Sequence, residues 1–492
     1  MVNRWCICWL FVLSSVASAG TRQAQKVDSA GHGSDTLPVT TSSAKARKNF
    51  AQAMRNFEEY RLNDCLLNLQ QATKEDPKFA QAFILIAKIS KEPAEQAAAR
   101  RRAKGLASTV TPGEQLLIKW LSAAQEGNYI PAIAAMNDLL AMFPKDHRLA
   151  FLAGDWLTLQ QSPEQAAAIL RHALALFPDY PAALNDLAYT YAFSGEFDKA
   201  FVAMEKYVAL EPDEPNPHDS YGEILRMAGK FDAALEQYRM SVHIDPNFGS
   251  EVGIADTYAL MGREQDARDE YDRAIVFAAT QSDRIAYELQ SAITWIRENN
   301  SNQAEKALND VAKHAHAAGL ALYEAEAQRI LAMNAPDLNS SMKHLQLAQR
   351  VLQEPHELSV SDRNEEQARI LRVEASQAAE AKDIQTAVKA LNQLQAMVEN
   401  TRDQTIQLCY HGAAGSVLMA QGSAAEAISE LEEDSNDPFS MRLLWRAYSD
   451  TGASTQAGAL AKKLSAFNVP TVEQAVVVPR FRSGLAARVG QP

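Results

Sequence analysis

From about Ala46 to about Phe467, apolar residues recur three and four positions apart, the spacing that gathers them on one stripe of a helix. No sustained alternation of apolar and polar residues interrupts this pattern, so the chain reads as all-α. Proline and glycine punctuate it at regular places. Pro144, Pro178, Pro212 and Pro246 are each 34 residues apart, and Ala132, Ala166, Ala200 and Ala234 keep the same interval. A fixed period of this length marks a stack of like supersecondary units, each too small to bury its own apolar face.

The segment from Pro181 shows one whole unit: Leu184, Leu187, Ala188, Tyr191, Gly195, Phe197, Ala200, Met204, Tyr207 and Pro212. Each column has a physical reason. Ala188 and Ala200, like Gly222 and Ala234 one period later, fit a close helix crossing that a larger side chain would push apart. Gly195, Gly229 and Gly262 fall where left-handed backbone ends the first helix. Tyr191, Met204, Tyr238 and Tyr271 fill the space between successive pairs. The prolines lack the N–H that would continue a helix. Weaker copies of the unit begin at Gly113 and His147. After Phe277 the interval lengthens, but Ala304 with Leu308, Ala387 with Leu391 and Ala427 with Leu431 keep the small-then-large spacing.

These residues and spacings resemble the tetratricopeptide repeat, a helix-turn-helix of 34 residues. The resemblance implies a right-handed superhelical solenoid of stacked antiparallel helix pairs. Its concave groove would be lined by the first helix of each repeat and would grip an extended peptide or a partner helix. Carrying the family's inward positions onto this chain gives Phe151 and Asp155; Asn185, Tyr189 and Phe193; Asp219, Glu223 and Arg226; and Asp256 with Leu260. Such side chains are expected to be free of the repeat's own packing. Family members that hold acidic chain ends use Lys, Asn and Arg at these places, whereas Asp and Glu dominate here. The groove therefore suits a segment carrying Lys or Arg and an apolar anchor.

The two ends read differently. Residues 1–19 have the form of a secretory signal, with Arg4, the apolar run Trp5 to Val16 and the small-residue site Ala17-Ser18-Ala19. Its apolar run is short of the ~20 residues that span a bilayer. Ser, Thr and Gly over 20–44 predict a flexible leader. The repeat array is expected over 45–278, best formed over 113–278. Divergent pairs follow over 279–354, then a hinge at 355–363, C-terminal pairs over 364–467 and an extended tail over 468–492, where Val476-Val477-Val478 are flanked by prolines.

Composition narrows the function. Hydrophobic residues at 47% and charged residues at 22% describe a folded chain, not a disordered one. The net charge of −13, one unit more negative without Arg4, disfavours nucleic acid. Arg100-Arg101-Arg102-Ala103-Lys104 is the one dense basic run, and without interleaved aromatics it reads as a solvated helix face. Cys6 and Cys8 lie in the signal; Cys65 and Cys409 are too far apart in a solenoid to pair and read as buried free thiols. His411 to Ser416 has the look of a glycine-rich oxyanion segment, but Gly415 falls in the small-residue column and no G-x-S-x-G elbow accompanies it. His314 and His316, two apart on a helix, point away from each other and cannot converge on a metal. The acidic clusters at Glu430–Asp434 and Asp266–Asp272 read as solvated faces.

The expectation is therefore an exported scaffold or adaptor, periplasmic or secreted from a bacterium. It would bind a protein or extended peptide, with no catalytic residues, cofactor or metal, no nucleic acid, and no membrane span once the signal is cleaved. A sensor subunit of a multi-chain system is the alternative, and a helical-repeat enzyme acting on glycans or peptides a further one.

Overall fold

A computed structural model describes residues 35–160 and 162–489, and the side chains of these up to Leu485. The signal expected over 1–19 and the first part of the leader lie outside the described residues. Among those described, twenty-five α-helices and one short 3-10 turn follow one another with no strand. Twelve antiparallel pairs and a final single helix make up the described residues.

Local sequence starts and stops each pair. Helices α5 (Pro112–Gln125), α9 (Pro181–Phe193) and α11 (Pro215–Met227) begin on proline, where its missing N–H would have been unpaired anyway. Thr111 closes a capping box with Glu114 at the head of α5. The periodic prolines act at the other end. Helices α6 (Tyr129–Met142), α8 (Pro163–Leu176), α10 (Phe197–Leu210) and α12 (Phe231–Ile244) each stop two residues before one of them, because a residue preceding proline is pushed out of the α region. Within pairs, Gly195 and Gly229 turn the chain at φ 72° and 76°. Tyr60, Asn299 and Lys382 hold the same left-handed turn without glycine, at φ 56°, 56° and 65°.

The small-residue columns decide how closely the helices cross. On α7 (His147–Leu159), a methyl group built on Gly154 would lie 2.5 Å from Leu170 Cδ2 of α8, a side chain with no exposed surface. On α11, Gly222 abuts the Tyr238 ring at 3.0 Å. The same ring also faces Gly253 of α13 (Glu251–Leu260) in the next pair, so one tyrosine fills the crossing of two pairs. The resulting core is continuous over the early pairs, running from Ala46 to Leu187. Each fully buried Leu or Met along it is worth ~1.5–3 kcal/mol.

A simple solenoid repeat touches only its neighbours, but this coil also closes on itself. Lys91, just before α4 (Pro93–Leu106), pairs with Asp283 of α15 (Gln281–Arg297), 192 residues on. The Tyr129 hydroxyl lies 2.6 Å from Ser361 Oγ of α19 (Val360–Glu380). Arg101 meets Glu357 at 2.9 Å. The stretch expected as a hinge at 355–363 is thus tied to the early pairs, and its second half is the first turn of α19, capped by Ser359.

Two further expectations about the ends need correction. The last segment is not extended: α25 (Val472–Val489) is a helix that includes Pro479. It packs on α15 and on α23 (Pro438–Asp450), burying Val472, Ala475 and Val478. Burial of one face at helical spacing outweighs the weak helix preference of its valines. The described part of the leader is also held in place. Leu37 N–H donates to Asp146, Thr40 N–H and hydroxyl to Glu114, and the Thr41 hydroxyl to Asp76.

Candidate binding groove

The ten groove positions fall on one face of each first helix, as their spacing of three and four dictates. Phe151 and Asp155 lie on α7, Asn185, Tyr189 and Phe193 on α9, Asp219, Glu223 and Arg226 on α11, and Asp256 and Leu260 on α13. Tyr189, Glu223, Arg226 and Asp256 form a connected network. The Tyr189 hydroxyl donates to Glu223 at 2.8 Å. Arg226 bridges Glu223 at 2.9 Å and Asp256 at 3.0 Å, and the Tyr271 hydroxyl also donates to Asp256. Burial raises the Asp256 carboxyl above its ordinary range despite the adjacent Arg226, and burial also raises Asp219.

These positions are not free of the fold's own packing, which corrects the sequence expectation. Phe151, Asp155, Asn185, Tyr189, Arg226, Asp256 and Leu260 are buried; Phe193, Asp219 and Glu223 are half-buried. At Phe151 and Asp155 the cause is the return of the first pairs across the coil. Helix α1 (Ala44–Glu58) brings Phe57 to 5.7 Å from the Phe151 ring, and Tyr60 and Tyr180 close around it at 6.4 and 5.8 Å. Lys88, from α3 (Ala80–Ile89), holds Asp155 at 2.7 Å. Tyr60 donates to the buried Asp186, whose carboxyl is pushed well up by burial and then by Asp155. The acidic character read from the sequence is therefore largely neutralised by Lys88 and Arg226.

Other singled-out residues have structural partners. His411 to Ser416 runs inside helix α21 (Gln404–Gln421); Gly415 backs onto Leu431, and His411 pairs with Glu430 at 2.8 Å. His314 and His316 bond different carboxylates, Glu288 and Glu324. In the basic run, Lys104 pairs with Glu126, Arg101 with Glu357, and Arg102 lies over the Phe83 ring. Both Cys65 and Cys409 are buried, and desolvation pushes each thiol up to about 12. Among the described residues no group of three or more His, Cys, Asp or Glu is placed to hold a metal ion. No helix among them is long and apolar enough to cross a membrane.

Sequence reasoning missed a second concavity of about 600 Å³. The first helices α17 (Ala321–Met333), α19, α21 and α23 line it, with α25 opposite. Its signal was present in Phe439, Arg442, Leu443 and Arg446, one face of a first helix. The facing wall reads in sequence as an extended tail, so the spacing on α23 alone does not announce a concavity.

An all-α solenoid of stacked helix pairs is the class this architecture defines. The family model of the tetratricopeptide repeat matches residues 157–224, that is, α8, α9, α10 and parts of the flanking helices. Among solved structures, the chain is similar to one in the APC/C hetero-tetramer Cut9-Hcn1, with 17% identity over 84% of this chain and 78% of that chain and a TM-score of 0.43. Similarity to MamA has 20% identity over 34% of this chain and 95% of that one, with a TM-score of 0.28. For pilF of Pseudomonas aeruginosa the values are 15%, 54%, 94% and 0.29. No curated protein sequence matches.

Proposed function

We propose that the chain is an exported scaffold that holds a protein partner. The observation that supports this reading is the repeat itself: a stack of helix pairs of the kind found in tetratricopeptide proteins, which bind protein partners. Within the groove, Asp219, Glu223 and Phe193 keep exposed surface and are the residues a basic, apolar-anchored segment would reach. Export is supported by the composition of residues 1–19.

A second location is favoured by a row of exposed apolar side chains at or near the ends of successive second helices. Met142, Phe177, Leu210 and Met240 lead to Phe277, the last just beyond α14 (Glu264–Val276) and 74% exposed. Rows of this kind mark interaction sites. Placing a photo-crosslinking amino acid at 219 or at 277 separates the two in the producing cells. A discrete protein adduct from 219, weakened by Glu223→Lys in the same chain, supports the groove; an adduct from 277 alone moves the contact to the outer row. Adducts from neither position count against the scaffold reading. Export is tested by sequencing the N-terminus of the mature protein, expected at Gly20; retention of Met1 in the cytoplasm contradicts it.

A further inference from the structure

We infer that the concavity between α25 and the first helices of the last pairs is a binding site for a small organic anion with an aromatic or branched apolar body. Its lining contains seven basic residues against three acidic ones, within a chain of net charge −13. Some of that charge is already matched. Arg329 pairs with Glu366 and Glu326, Arg369 with Glu365 and Glu366, and Arg372 with Asp434 and Asp437. Glu473 lies 3.9 Å from Arg329. What is left over is Lys382, Arg442, Arg446 and Arg480 against Glu380. None of these four cations has a carboxylate within ion-pair distance among the described residues.

Arg442 and Arg446 stand four apart on α23, where like charges face and repel each other. Arg480 approaches from α25, donating through Nε only to Asn299 at 3.2 Å. Between the cations lies apolar and aromatic surface. Trp445 packs edge-on against Phe481 with centroids 5.2 Å apart, and Arg442 lies over the Phe439 ring at 5.7 Å. Guanidinium forks suit carboxylate and phosphate oxygens alike. The volume of about 600 Å³ falls in the range of small-molecule sites, with α25 as one wall. Occupancy would therefore hold α25 in place. This inference stands whether or not a protein occupies the groove of the earlier repeats.

Isothermal titration of the mature chain tests it, with naphthalene-2-carboxylate, 2-naphthyl phosphate and the neutral 2-naphthamide as probes. At least one anion is expected to bind tenfold or more tighter than the amide, and the preferred one identifies the head group. Arg442→Gln with Arg446→Gln is expected to weaken that anion at least tenfold while leaving the amide unchanged. Arg480→Gln, at an exposed position, gives a second reading should the double variant melt early, with a loss of threefold or more. Lys306→Gln on the outer face is expected to change nothing. Equal binding of anion and amide, no binding at millimolar probe, or full affinity in the folded Arg480→Gln and double variants would overturn the proposal.

Discussion

Gly253→Ala is the sharpest perturbation of the stacking geometry. The added methyl would press hardest on Tyr238 Cε1 and would meet Cζ at 2.5 Å and Cδ1 at 2.6 Å. The ring cannot retreat, since it is 1% exposed and Gly222 bounds it at 3.0 Å on the side of its own pair. Overpacking of this kind costs ~1–3 kcal/mol, while replacing glycine within a helix returns ~1 kcal/mol. The net expectation is a loss of up to roughly 2 kcal/mol. Gly458→Ala, in α24 (Ser454–Ser465), is the matched control, because nothing lies within 4 Å of its new methyl. It should gain ~0.5–1 kcal/mol. Urea unfolding followed by helical circular dichroism reads both, and hydrogen exchange should show the loss centred on α11 to α14. If the two substitutions shift stability in the same direction, the close crossing at Tyr238 is wrong.

Two further outcomes follow from the buried charges. Arg329→Met removes the nearer partner of Glu366, itself 1% exposed and 2.7 Å from the guanidinium, leaving only Arg369 at 3.5 Å, and should cost up to ~3 kcal/mol in urea unfolding; adding Glu366→Met should recover much of that, and purely additive losses would refute the pairing. Glu211 is raised from 4.5 to about 7 by burial and then by Glu59, Glu214 and Glu58. A carboxyl raised in the fold contributes stability that is complete below pH 4.5 and lost as pH rises through about 7. Glu211→Gln should therefore melt higher than the parent at pH 8 and no higher at pH 4; a gap that is independent of pH would contradict this.

How much could be read from the chain itself differs between fold and site. The 34-residue prolines and the turn glycines act within one pair, so they announced the helix ends on which they stand. Gly222 and Gly415 were likewise legible, because each backs onto a side chain of its own pair, Tyr238 and Leu431. Helix α25 was hidden, since Val476-Val477-Val478 beside proline favours extended backbone until α15 and α23 offer a face to bury. The groove failed for a related reason. Repeat position says that Phe151 and Asp155 point inward, but only the closed coil brings Phe57, Tyr60 and Lys88 against them. Nothing in the local spacing of α1 to α3 encodes that return.

The closure itself, which decides which surfaces are left for a partner, is open to one direct measurement. In an Arg101→Lys chain, a zero-length carbodiimide coupling followed by peptide mass spectrometry should join residue 101 to Glu357, 256 positions away and 2.9 Å from the present guanidinium. Lys104 and Glu126, 2.6 Å apart in adjoining pairs, supply the internal standard. Recovery of both linked peptides is the predicted result; the Lys104–Glu126 link without the long-range one would show an open arc and contradict the closed coil.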